Sequence, residues 1–174
     1  PDARFLTFAH DDAGRRTRMS DQDGFITNYQ YDAVGRLAGL TDGSGVAMVA
    51  YSYDAAGRLS RKDNGNGTTT FVFDQGTFYI DRDTIVREGE TRKVWTMLDY
   101  RQPKSNSHGL PYRSTRSLLQ IQCKTQQVKT LSLAFFKGTR GSGDVLSSEG
   151  VIQDWQPIPP DSVLAKMAWT VCGS

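Results

Sequence analysis

The chain has 174 residues and a formal net charge of +2, with 37% hydrophobic residues and 17 glycines. This length suits one ordinary domain or two small ones, and the glycines favour short strands and frequent turns. Residues 1–76 carry eight basic against ten acidic residues, and residues 77–174 carry thirteen against nine. Neither half has the strongly basic field that is typical of a nucleic-acid-binding protein. No apolar run reaches the roughly 20 residues that a membrane-spanning helix needs.

The first 76 residues contain an internal repeat. An aromatic–x–aromatic–Asp–x–x–Gly–Arg pattern occurs in residues 29–36 and 51–58, with a variant in residues 8–15 and a truncated copy in residues 71–74. Aligned aspartates follow one another at intervals of 21, 22 and 20 residues: Asp11, Asp32, Asp54 and Asp74. A period near 20 indicates one small supersecondary unit stacked on its neighbours.

Each copy is predicted to be a pair of short antiparallel strands. The aromatic positions share one strand face, since alternate residues point the same way; they are Phe8, Tyr29, Tyr31, Tyr51, Tyr53, Phe71 and Phe73. The tight turn that follows needs an aspartate to accept backbone hydrogen bonds and a glycine in the left-handed conformation. The predicted turn residues are Asp11, Gly14, Asp32, Gly35, Asp54 and Gly57. One hairpin cannot bury its aromatic face alone, so the copies are expected to stack.

This pattern resembles the YD repeats of Rhs- and teneurin-type proteins, over residues 5–74. Copies two and three match in full, whereas the first has Phe8 and His10 at the aromatic positions and Arg16 in place of leucine. The resemblance implies a β-shell built from many repeats, which sometimes encloses a toxin. Three and a half copies cannot close such a shell, so an open β-structure with exposed edges is expected.

The pattern changes after Gly76, and a second unit is predicted over residues 77–174. Its main element is a long strand over Tyr112–Cys123, in which apolar and polar residues alternate. We predict strands over residues 77–81, 127–137 and 145–147, a hairpin of residues 85–87 with 92–100, and a polar loop over residues 101–109. A C-terminal helix is expected after Pro160, with Asp161 or Ser162 as its N-cap.

The two cysteines end two of these predicted elements. Cys123 ends the long strand, and Cys172 lies on the apolar stripe of the helix. A buried free thiol is the alternative for either residue alone. Their placement favours a disulfide, which would close a loop of about 50 residues and indicate an oxidising compartment.

The second half also resembles the surface-adhesin protein E family, over residues 77–172. The resemblance rests on the order and spacing of Phe78–Asp81, Val94–Tyr100, Pro111–Ser114, Gly141–Gly143 and Trp155–Pro160, together with Cys123 and Cys172. It implies an antiparallel sheet with a C-terminal helix disulfide-linked across it, in exported bacterial proteins that adhere to host extracellular-matrix proteins.

Motifs for catalysis, cofactors or metals are not evident. His108 lies near serines but without a nucleophile-turn motif, and a solvated loop histidine is favoured. The Asp/Asn/Gly turns lack the spacing of a calcium loop, and the glycine-rich residues 138–143 lack the Gly-Lys-Ser/Thr of a phosphate loop. We predict no catalytic residue, no cofactor and no metal.

The sequence therefore predicts a mainly β (α+β) protein of two units. The first hypothesis is an exported, non-enzymatic module at the cell surface, in the periplasm or outside the cell, with no transmembrane segment. It would bind a host or matrix protein, or itself as an oligomer or filament, rather than nucleic acid. The alternative is the C-terminal effector of an Rhs-type polymorphic toxin. Because the sequence begins mid-pattern at Pro1 without a signal peptide, a mature or excised product is expected.

Overall fold

The structure is a computed structural model that describes residues 5–150 and 154–173. The chain divides into two compact units, residues 1–66 and 67–174. The mainly β architecture with one C-terminal helix confirms the predicted fold class. The division falls ten residues before the boundary drawn at Gly76, and that glycine lies inside a hairpin of the second unit.

The first unit is an antiparallel meander. Each strand pairs with the next along the chain, in the order β1 Leu6–His10, β2 Arg16–Asp21, β3 Ile26–Tyr31, β4 Leu37–Asp42, β5 Ala47–Tyr53 and β6 Leu59–Asn64. Few side chains in this unit are fully buried, since a single sheet layer has no second layer to cover it. Thr27 and Val49 are the buried side chains among its described residues.

The second unit is an antiparallel sheet with a helix on one face. Its strands are β7 Thr68–Phe73, β8 Gly76–Asp81, β9 Val86–Glu88, β10 Thr91–Ser105, β11 Pro111–Gln122, β12 Gln127–Phe136, β13 Val145–Glu149 and β14 Gln156–Pro157. The main order is β7–β8–β10–β11–β12–β13, with β9 beside β10 and β14 beside β12. A short 3-10 helix, Arg82–Thr84, and the helix α1, Val163–Cys172, complete the unit.

The long predicted strand is present as β11, and β10 is longer than expected. The expectation of a polar loop over residues 101–109 is wrong, because residues 101–105 continue β10 and only Asn106–Leu110 form a turn. The register shifts between Asp99 and Lys104, and the strand then pairs again with the start of β11. Such a bulge re-aims a strand without ending it, which residue-type patterns do not show.

Strand β7, the truncated fourth copy, has a partner. It pairs along its whole length with β8, from Thr68 opposite Asp81 to Phe73 opposite Gly76. Although the repeat pattern stops at Asp74, this copy therefore has a return strand, which is β8. The side chains of Phe71 and Phe78, which lie opposite each other, belong to the core of the second unit.

That core lies between α1 and one face of the sheet. Its fully buried members include Ile80, Val94, Ile121, Met167 and Val171. Ser162 is the N-cap of α1, and its hydroxyl accepts a hydrogen bond from the Ala165 N–H at 3.0 Å. The Cys123–Cys172 disulfide joins the end of β11 to the end of α1, with Cα atoms 5.7 Å apart. The helix is thus held to the sheet by apolar packing and by a covalent bond.

Candidate interaction surfaces

The turns of the repeats share one hydrogen-bonding scheme. In the second copy, Asp32 Oδ1 accepts the backbone N–H groups of Val34 at 3.1 Å and Arg36 at 2.8 Å. Its other oxygen accepts Arg36 Nε at 2.7 Å, and Gly35 has a φ of 82°. A residue with a side chain would be strained at that φ, which explains the glycine.

The same arrangement recurs in the first and third copies. Asp11 binds the backbone and the Nε of Arg15, and Asp54 binds those of Arg58. The backbone N–H of the arginine is the largest cause that lowers the pKa of each of these three aspartates. Burial opposes it, and the side chain and charge of the arginine lower the pKa further. The carboxylate is therefore stabilised as the anion, and each turn is fixed to the arginine that begins the return strand.

The arginines of the first two turns also contact the following copy. The guanidinium of Arg15 lies 4.8 Å from the ring centre of Tyr31, and that of Arg36 lies 4.5 Å from Tyr53. Hydroxyl groups add a second link: Tyr31 donates to the Arg16 carbonyl at 2.8 Å and Tyr53 to the Leu37 carbonyl at 2.7 Å. Neighbouring copies among the first three are thus joined by at least one cation–π contact and at least one side-chain hydrogen bond.

His10 occupies the position that Tyr31 and Tyr53 hold in the later copies. Strand β1, which carries it, pairs with β2 on one side, and no described strand of the first unit pairs with its other side. Phe5, Leu6 and Phe8 are 61%, 54% and 39% exposed. The edge of β1 therefore combines free backbone hydrogen-bonding groups with exposed apolar side chains, as strand-pairing surfaces do.

The sheet face of the second unit that lies opposite α1 has a different character. Trp95, Met97 and Asp99 of β10 point to this face, and so do Arg116 and Leu118 of β11, which lie opposite them in the register. The Arg116 guanidinium lies 4.5 Å from the Trp95 ring centre. Lys129 of β12 lies on the same face, 4.7 Å from the ring centre of Trp155.

The glycine-rich loop borders this face. The Arg140 N–H donates to Asp99 Oδ1 at 2.6 Å, and the Gly141 N–H donates to the Ser114 hydroxyl at 2.9 Å. Ser114 in turn donates to the Gly138 carbonyl at 2.7 Å. The loop is therefore a connection anchored on the sheet and positions an arginine at the end of this face.

His108 lies in an exposed turn at the end of the β10–β11 hairpin. Ser107 Oγ is 3.3 Å from His108 Nδ1, and Asn106 Oδ1 accepts the N–H groups of His108 and Leu110. This turn repeats the Asx scheme of the first unit with asparagine in place of aspartate. Among the described residues, no carboxylate forms an ion pair with the histidine, and no cluster of potential metal ligands occurs.

We find no helix in the described part of the chain that could span a membrane.

The second unit is an α+β sheet fastened by a disulfide, and the first unit is a meander of short repeats. The family model of surface-adhesin protein E matches residues 69–173, and the model of the RHS repeat matches residues 10–47. The chain belongs to the surface-adhesin protein E family, whose members are exported to the cell surface. It also carries an RHS-repeat segment, as the sequence pattern had indicated.

Solved structures of Haemophilus influenzae protein E are similar to this chain. One, of non-typeable H. influenzae, has a TM-score of 0.48 at 16% identity and covers 64% of this chain and 78% of that one. Another has a TM-score of 0.44 at 16% identity, covering 55% and 76%. A second crystal form has a TM-score of 0.42 at 18% identity, covering 55% and 80%. No curated protein matches the chain.

Proposed function

We propose that this chain is a non-enzymatic adhesive module that binds host proteins at the bacterial surface. The observation that carries the proposal is the family match over residues 69–173, which spans nearly the whole second unit. Half-buried aromatic side chains on the sheet and the exposed Arg116 suit protein contact, and Trp169 on α1 is 78% exposed. The exposed turn around His108 provides no orienting acid and no enclosed site for a reaction.

The proposal includes self-association through the first unit. The outer edge of β1 has no partner among the described strands and lies beside the exposed Phe5, Leu6 and Phe8 side chains. The copies already join through a recurrent arginine–aromatic contact. A neighbouring chain can therefore extend the meander by strand addition. Such a head-to-tail contact does not close on itself, so its product is an oligomer or a filament.

Binding to host surfaces tests the adhesive role. The full oxidised chain, labelled with a fluorophore, should bind cultured epithelial cells and immobilised matrix proteins saturably. Prior proteolysis of the cell surface should abolish that binding, because the expected receptor is a protein. Trp169→Ala removes the most exposed aromatic side chain of the second unit, and Val86→Ala, on an exposed edge strand, is its control.

The toxin alternative predicts a different result. A C-terminal effector should stop growth when the full chain is expressed in bacteria, in the cytoplasm or with a secretion signal added. Growth arrest without saturable binding to host surfaces would overturn the adhesive function in favour of an effector. Saturable binding without growth arrest would support the adhesive function.

A further inference from the structure

The middle of the second unit carries a long run without acidic residues. Residues 100–143 contain eight Lys or Arg residues and no Asp or Glu. This run covers the end of β10, all of β11 and β12, and the glycine-rich loop. The small net charge of the whole chain conceals this concentration of positive charge.

Two of these cations, Arg116 and Lys129, lie on the sheet face opposite α1, and Arg140 lies in the loop that borders this face. We call these three residues the cationic track. Arg116 and Lys129 lie on the adjacent strands β11 and β12, and the residue opposite Lys129 is four positions from Arg116 along β11. Arg140 lies past the other end, next to Ser114, which is two residues before Arg116 in β11. With a rise of about 3.4 Å per residue, the first two Cα positions are roughly 14 Å apart along the strands. The track therefore follows the strand direction rather than forming one compact pocket.

Charges within the protein leave the track largely uncompensated. Within the described residues, no carboxylate forms an ion pair with Arg116, Lys129 or Arg140. Asp99, an acidic residue on this face, accepts hydrogen bonds from the Arg140 N–H and the Tyr79 hydroxyl. Lys93, at the end of the same face, is already paired with Glu88 at 2.7 Å.

The aromatic rings fix two of the cations in place. Because Arg116 lies over Trp95 and Lys129 over Trp155, each long side chain has lost conformational freedom before any ligand arrives. Preordered cations bind an anion at a smaller entropic cost than free surface lysines do. The same contacts occupy one face of each indole ring, which disfavours the base stacking by which single-stranded nucleic acids bind.

We propose that the cationic track binds a linear sulfated polysaccharide of the host surface. Its elongated shape fits a polyanionic chain laid along the strands, and the planar guanidinium of arginine can donate two parallel hydrogen bonds to a sulfate or a carboxylate. Export to the cell surface brings the track into contact with host glycans rather than cytoplasmic nucleic acid. This inference rests on the proposed adhesive function and names the chemistry of one ligand.

The test is salt elution of the full oxidised chain from immobilised heparin. Arg116→Gln/Lys129→Gln/Arg140→Gln should elute at clearly lower salt than the parent, because salt screens charge contacts. The matched control, Arg18→Gln/Arg87→Gln/Lys166→Gln, removes the same charge from three exposed positions outside the track and should elute with the parent. Arg116→Lys should elute between the parent and the track variant, since lysine keeps the charge but cannot donate the two parallel hydrogen bonds of a guanidinium. Circular dichroism confirms that each variant is folded.

Several results would overturn the inference. Elution of the track variant with the parent, or an equal shift in the control, would show that the track has no special role. Equal retention on chemically desulfated heparin would exclude recognition of sulfate. Equally strong competition by DNA of matched charge would indicate a nucleic-acid surface instead.

If the track variant loses heparin binding but still binds protease-sensitive host receptors, both this inference and the adhesive function stand. If the parent binds heparin but no immobilised matrix protein, the adhesive function fails alone.

Discussion

At the scale of single residues, the aspartate of each repeat turn has several partners at once. Asp32 accepts two backbone N–H groups and the Nε of Arg36, while that arginine also contacts Tyr53 of the next copy. The Arg36 side chain thus connects the turn, the return strand that it begins and the contact with the next copy. This coupling explains why the Asp and the Arg recur together in copies one to three.

Protonation of Asp32 is predicted to weaken the first unit. Its pKa is lowered in the folded chain, first by the Arg36 N–H, so the stabilisation is complete above its unfolded pKa and is lost as the pH falls through the folded value. Carboxyl NMR titration should therefore place this group below the ordinary range near pH 4. Asp32→Asn should make stability less dependent on acid than in the parent.

Asp12→Asn is the control for this experiment. Asp12 is an exposed aspartate in the turn of the first copy, and its carboxylate accepts no hydrogen bond from the described residues. Its substitution should leave the acid dependence of unfolding as it is in the parent. An Asp32 carboxyl that titrates at or above the ordinary value would contradict the role given to the turn.

At the scale of elements, the helix depends on the disulfide and on its apolar face. Met167, Ala168 and Val171 are fully buried against the sheet, whereas Trp169 points outward. The Cys123–Cys172 bond spans a sequence separation of 49 residues. It therefore restricts a long stretch of the unfolded chain, including β12, β13 and the glycine-rich loop.

Removal of the disulfide is predicted to destabilise the second unit selectively. On the chain-entropy model, a loop of this length corresponds to about 4 kcal/mol, so Cys123→Ser/Cys172→Ser should unfold at markedly lower urea concentration. All three tryptophans belong to the second unit, so tryptophan fluorescence reports on it alone. Coincident unfolding curves for parent and variant would refute this expectation.

The sequence was sufficient to predict the elements whose patterns are local. The Asp–x–x–Gly turns, the alternation in β11 and a helix cap at Asp161 or Ser162 each depend on neighbouring residues, and the structure contains the turns, the strand and the cap, which is Ser162. The bulge that extends β10 through Ser105 and the pairing of β7 with β8 depend on partners elsewhere in the chain. Strand pairing therefore accounts for what the residue pattern missed.

The cationic track could not be predicted for the same reason. Its residues come from two strands and a loop, and only the register places Lys129 and Arg116 on one face. The sequence does show an excess of basic residues over residues 100–143. The sequence could not show that Arg116 and Lys129 lie over tryptophan rings whereas Lys93 is paired with Glu88. Each of these contacts joins residues that are not adjacent in the chain.

At the scale of the whole molecule, we predict that the chain self-associates through β1. Deletion of residues 1–27 removes β1, β2 and the first two residues of β3. Light scattering should then find monomers instead of any larger assembly. A milder variant, Leu6→Lys/Phe8→Lys, places charge on the exposed edge and should have the same effect without loss of a strand. Val34→Lys, in an exposed turn away from β1, is the control. Light scattering that finds the intact chain monomeric at high concentration would end the proposal.

The meander of the first unit has a further consequence for folding kinetics. Every pairing from β1 to β6 joins strands that are adjacent in the chain, so contact order within this unit is low. In such an array, order can nucleate at any hairpin and spread to its neighbours, as in a one-dimensional chain of coupled units. A nascent chain can thus begin to organise its repeats before Cys172 is available for oxidation.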